Sequence, residues 1–160
     1  MGWTAKRWRA IGLGLLPLCL AACAAAYVAP PDADAASVDV IDQGAGHVTV
    51  YTFKDGTDCS GRSELADLSG GEHRRTAMPP DRELVMSFSY INGAGICSLS
   101  IGFVPDKGKT YRVYTGLESQ DCYVRVLQAL GNGRGEGPVS IRRRTMHSPL
   151  FSSGSWCRAD

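Results

Sequence analysis

From His47 onward, apolar and polar residues alternate with a period of two. In "ELVMSFSYI" (83–91), Leu84, Met86, Phe88 and Tyr90 alternate with Glu83, Ser87 and Ser89. "NGAG" then turns the chain, and in "ICSLSIGF" (96–103) either Ile96 or Cys97 begins a second alternating run, so the two segments predict a β-hairpin. "HVTVYTF" (47–53), rich in β-branched and aromatic residues, ends at the turn-prone "KDGTD" and predicts another strand. "TYRVYTG" (110–116), "CYVRVLQAL" (122–130) and "PVSIRRR" (138–144) follow, separated by turn signals such as "VPDKGK" and "GNGRGEG". "GRSELADLSG" (61–70) suits either a short helix or a crossover loop. No stretch of helical period exceeds about ten residues. The pattern predicts a mainly β domain over 47–160, an antiparallel β-sandwich or small barrel of six to seven strands.

The N-terminal pattern is different. Lys6, Arg7 and Arg9 charge the first nine residues, and "AIGLGLLPLCLAA" (10–22) carries no charge. This is the layout of a secretory signal. The apolar run falls short of the roughly 20 residues that span a bilayer as a helix, and Pro17 weakens a long helix there. The run closes on Leu20, Ala21, Ala22 and Cys23, which resembles the bacterial lipobox. That resemblance implies a signal peptide over 1–22, cleavage before Cys23, a diacylglycerol thioether on the Cys23 thiol and often an acylated amino group. Two or three acyl chains exceed the threshold for stable anchoring, so the mature protein is expected to stay on a membrane. By the same resemblance, Ala24 in place of an acidic residue points to the outer membrane, facing the periplasm. The alternative is ordinary cleavage within "AACAAAY", which would release a soluble protein without Cys23. Cys19 is discarded either way.

Composition refines the mature part. Without the three leader bases, 14 bases face 16 acids, a net charge of −2, which does not suggest a globally basic nucleic-acid binder. Residues 24–46 contain no base and few large apolar side chains, and with Cys23 they read as a lipidated, flexible tether over 23–46 with a reach of about 25–30 Å. "SVDVI" within it could instead form an early edge strand. Cys59, Cys97, Cys122 and Cys157, an even set in an exported chain, predict two disulfides. Their spacing offers no close pair of the kind zinc sites need, so no metal is expected. Three pairings are open; Cys59–Cys97 with Cys122–Cys157 is the favoured one, each closing a loop worth about 4 kcal/mol in the chain-entropy model. The segment carrying Phe103, Pro105, Gly108 and Tyr111 is similar to the "F-x-P-x-x-G-x-x-Y" of many small, uncharacterised, disulfide-containing β-domain envelope lipoproteins. There, Pro and Gly shape a turn while Phe and Tyr anchor its strands.

Chemistry is sparse. The sequence has no G-x-S-x-G elbow, no H-E-x-x-H and no Walker lysine, and "GNGRGEG" leads into Pro138 rather than into a helix. His47, His73 and His147 are scattered. With the thiols assigned to disulfides, neither a catalytic group nor a cofactor is expected. One feature remains. If Tyr111, Val113, Val124, Val126, Val139 and Ile141 face inward, then Arg112, Arg125, Arg142 and Arg144 face outward as a basic stripe, with Arg125 opposite Ser140 and Arg142 opposite Tyr123. Such a stripe would suit an anionic envelope component or an acidic envelope protein, or would simply be a solvated face neutralised by Glu118, Asp121 or Glu136. The sequence therefore predicts a non-enzymatic envelope lipoprotein, a binding or structural accessory held to the membrane by its lipid. An inhibitor of a secreted enzyme such as lysozyme is the alternative, although a basic stripe has the wrong sign for a basic lysozyme. A small hydrolase would need a triad that the sequence does not display.

Overall fold

The structure, a computed structural model, describes residues 25–158 apart from 32, 45, 94, 120, 132–134 and 151–153. Its elements are β1 (Ala25–Ala26), β2 (Ala36–Asp42), β3 (His47–Asp55), β4 (Ser60–Ser69), β5 (His73–Met78), β6 (Leu84–Asn92), β7 (Gly95–Phe103), β8 (Thr110–Glu118), β9 (Asp121–Ala129), β10 (Glu136–Pro138) and β11 (Arg142–Arg143). The described residues include no helix. One sheet has the order β1-β4-β3-β6-β7-β11 and the other β10-β9-β8-β2-β5. Pairing is antiparallel except between β2 and β8 and between β1 and β4, so both sheets are mixed.

The sheets pack face to face over a main core built from alternate residues of the longer strands, chiefly β2, β3, β6 and β8. Leu84, Met86, Phe88 and Tyr90 of β6 all point inward, as their alternation predicts, and pair across to Phe103, Ile101, Leu99 and Cys97 of β7. Cys97, not Ile96, takes the inward parity; Ile96 is exposed. Val38 and Val40 of β2, Tyr111 and Val113 of β8 and Val126 of β9 come from the opposite sheet. One polar tie crosses the core: the buried Tyr90 hydroxyl donates to Asp42 Oδ1 (2.9 Å) and lies 3.1 Å from Thr115 Oγ1. Burial, reinforced by the Asp42 carboxylate, pushes the Tyr90 phenol far above its ordinary range. At the "F-x-P-x-x-G-x-x-Y" turn, Phe103 and Tyr111 meet with ring centroids 5.4 Å apart, and the Tyr111 oxygen accepts the Asp106 N–H at 2.8 Å.

Several expectations require correction. Residues 36–42, expected to belong to the tether, form β2, an interior strand between β8 and β5 with Ala36, Val38 and Val40 fully buried; it is not an edge strand. Residues 61–70 are neither helix nor crossover loop but most of β4, which pairs with β3 through a register shift at Val50/Tyr51. The expected single strand over 138–144 divides between the sheets. Pro138 ends β10 against β9, the chain crosses over, and Arg142 and Arg143 pair with Gly102 and Ile101 of β7.

The disulfides join Cys59 to Cys157 and Cys97 to Cys122, not the favoured pairing. Cys59 lies at the β3–β4 turn, at the end of the sheet where β6 begins, whereas Cys97 sits opposite Tyr90 near the far end of β6. The sheet therefore separates them. The C-terminal segment instead reaches Cys59, with the Trp156 and Cys157 N–H groups donating to the Asp58 carbonyl. That disulfide packs with Phe53 and Val85 in a second, smaller cluster flanked by Met146 and Trp156. Cys97–Cys122 staples β7 to β9 across the two sheets. Both clusters' buried residues and both disulfides, as described, lie between Ala36 and Cys157, within residues 24–160.

Candidate functional site

Of the four arginines of the expected stripe, Arg112 and Arg125 share the outer face of the five-stranded sheet on neighbouring strands, whereas Arg142 and Arg144 do not join them. Arg112 on β8 donates to Glu136 on β10. Arg125 is exposed on β9, opposite Tyr114. Arg142 belongs to the other sheet. Arg144 is buried: its guanidinium donates to Glu83 Oε2 at 2.5 Å and to the Gly56 carbonyl at 3.3 Å. The stripe required one continuous last strand, and the crossover after β10 removes it. On the outer face of the five-stranded sheet, acids engage several of the bases. Asp39, in register beside Arg112, accepts hydrogen bonds from Arg75 (2.8 Å) and from His73 Nδ1 (3.0 Å). Burial alone would raise the Asp39 pKa, but the His73 and Arg75 hydrogen bonds outweigh it and hold the carboxyl below its ordinary range. Cys23 lies outside the described residues.

A cleft that the sequence reading missed lies at the opposite side of the sandwich, where the β4 and β5 edges face each other. The chain passes from β4 to β5 through a tight corner at residues 69–72, and beyond it the N-terminal segment bridges the two edges. β1 runs parallel to β4, pairing Ala25 with Ser63 and Ala26 with Glu64. The Tyr27 N–H donates to the Glu64 carbonyl (2.8 Å), and its hydroxyl reaches across to the Ala77 carbonyl on β5 (2.9 Å). One side chain thus ties the strap to both sheets.

Beneath the strap is a cavity of about 490 Å³. Its apolar lining includes Tyr27, Val28, Phe53, Met78, Pro79 and Leu84. Ser63, on the strand position paired with the buried Thr52, also lines it. Among the described lining residues, Lys54, Arg62 and Arg82 contribute cations and Glu83 an acid, which Arg144 engages. Lys54 and Arg82 are exposed. Burial pushes the Tyr27 phenol up while Arg82 pulls it down, so the field of that guanidinium reaches the strap. Arg62 is held by aromatic rings, 3.6 Å from the Tyr51 centroid and 4.2 Å from that of Trp156. Gly61, at φ +66°, lies where a Cβ would overlap the Lys54 side chain, so a glycine keeps this corner of the mouth open. An apolar interior with a few convergent charges is the usual form of a small-molecule site.

No protein-family model matches the chain, and no curated protein does. Among solved structures, the chain is similar to one titled "NMR structure of the protein from Eubacterium rectale", with a TM-score of 0.40 and 17% identity over 61% of this chain and 92% of that one.

Proposed function

We propose that this chain is a non-enzymatic cell-envelope lipoprotein, anchored through Cys23 in the outer membrane and facing the periplasm, whose β-sandwich binds a partner or ligand through the cleft beneath the N-terminal strap. One observation carries the reading: the cleft is walled by Ala25, Ala26, Tyr27 and Val28, the residues that follow the lipobox cysteine almost directly. Anchor and cavity then sit together, and the cleft opens close to the membrane surface. Two disulfides suit an exported protein, which folds in an oxidising space. The basic stripe has no part in this reading, because Arg142 lies on the other sheet, Arg144 is buried against Glu83 and Arg112 is engaged by Glu136.

Metabolic labelling with an alkyne fatty acid tests the anchor. The wild-type chain should be labelled and membrane-bound, while Cys23→Ser should lose both label and membrane retention. Labelling of the variant at wild-type level would refute the lipobox reading. Pull-downs from crosslinked envelopes test the accessory role: a recurrent partner should be captured by the wild type and lost when Ser63→Trp fills the cleft.

A further inference from the structure

We infer that the cleft under the strap binds a single-chain anionic amphiphile, with the tail against Met78, Leu84 and Phe53 and the charged head between Lys54 and Arg82. This rests on reading the cleft as the binding surface, but not on the Cys23 anchor. Three observations argue for it. The volume of about 490 Å³ lies within the range of ligand sites and is modest for a lipid with two chains. The lining is mostly apolar: Tyr27, Val28 and Pro79 flank the cavity, with Phe53, Met78 and Leu84 packed beneath its surface. The charge is one-sided, because Arg144 neutralises Glu83 and leaves Lys54 and Arg82 exposed at the mouth. An anionic head over an apolar shaft satisfies both parts of the cavity.

The strap supplies the route in. It holds to β4 through a two-residue strand, to β5 through the Tyr27 hydroxyl and to the core's rim through the Tyr27 ring, so an amphiphile can enter by loosening these few contacts.

The test uses residues 24–160, exported behind a cleavable signal so that both disulfides form, and the fluorescent fatty acid cis-parinaric acid as probe. Saturable one-to-one binding is expected. Oleate should displace the probe, whereas oleyl alcohol and dioleoylphosphatidylglycerol should do so about tenfold less well. The double variant Lys54→Glu/Arg82→Glu, confined to exposed side chains, should weaken oleate about tenfold, leave oleyl alcohol unchanged and reduce the salt dependence of binding. Ser63→Trp should abolish probe binding. The inference is overturned if the wild type shows no saturable binding, if oleyl alcohol or the two-chain lipid competes as well as oleate, or if the charge-reversed variant binds oleate like the wild type. Because the fragment lacks Cys23, these outcomes are independent of the lipid-labelling result.

Discussion

Replacing Arg144 by Gln should destabilise the sandwich far more than replacing Arg112 by Gln, although both residues lie in what the sequence presents as one basic face. The Arg144 side chain is 4% exposed and the Glu83 side chain 26%. Removing one partner of a buried ion pair costs about 3–5 kcal/mol, because the other charge is stranded. Here water can reach part of the abandoned Glu83 carboxylate, which lowers the expected cost of Arg144→Gln to about 2–4 kcal/mol. Glu83 has no inward escape: it packs so closely against Gly102 that a Cβ there would overlap its Oε1. Glu83→Gln should cost more than Arg144→Gln, since it leaves the more deeply buried charge without its carboxylate. In a domain of this size the loss for Arg144→Gln corresponds to a melting temperature lower by roughly 6–16 °C.

Urea unfolding of residues 24–160, followed by tryptophan fluorescence and by circular dichroism, would measure both variants. Arg112→Gln removes a contact at the sheet surface and should leave the curve close to wild type. The double replacement Glu83→Leu/Arg144→Met should recover most of what either charge-stranding variant loses, because apolar side chains of similar volume avoid the desolvation of both ions. If Arg144→Gln and Arg112→Gln shift the midpoint equally, the assignment of Arg144 to a buried pair is wrong.

Three further outcomes are expected. Non-reducing peptide mapping should recover Cys59 with Cys157 and Cys97 with Cys122, and Cys59→Ser/Cys157→Ser, which opens a link across 98 residues, should cost about 4–5 kcal/mol in the chain-entropy model; a Cys59–Cys97 peptide would contradict the topology. Because the folded pKa of Asp39 is depressed, its contribution to stability is complete above the unfolded value of about 3.9 and is lost as pH falls through the folded value, so Asp39→Asn should flatten the acid side of the stability curve; an unchanged acid limb would refute the His73 and Arg75 interactions.

The strands that could be read from the sequence are those whose two faces differ most. β6 sets Leu84, Met86, Phe88 and Tyr90 against Ser87 and Ser89, and its inward face is fully specified by those residues. β4 was obscured because "GRSELADLSG" mixes strong helix formers with one apolar pair, Leu65 and Leu68, at helical spacing. Its strand character comes from the two edges it meets, β3 on one side and the strap on the other. β5, "HRRTAM", buries only Met78 deeply and presents His73, Arg74 and Arg75 to solvent, so it carries little hydrophobic pattern of its own. The disulfide pairing was not legible at all, since it depends on which turns share an end of the sheet.

The tether expectation failed for the same reason that the cleft stayed hidden. Composition averaged over residues 24–46 is poor in large apolar side chains, but the seven residues of β2 place Ala36, Val38 and Val40 on one face, and small side chains suffice there because Met86, Phe88 and Tyr90 of the facing sheet supply the bulk of the same core cluster. A compositional window registers the lack of bulk and overlooks the period of two. Once β2 is fixed inside a sheet, the residues before it cannot stray far from the domain, and Tyr27 finds partners on both sheet edges. The cleft results from that closure. Its walls come from residues 25–30, 52–63 and 78–84, separated along the chain and brought together only when the strap crosses from β4 to β5. If Cys23 carries a lipid, no long flexible spacer separates it from this cavity: the acylated residue stands two positions before Ala25, which already lines the mouth. The domain would then be held close against the head groups rather than clear of them, with Lys54 and Arg82 positioned to meet anionic material at the membrane surface.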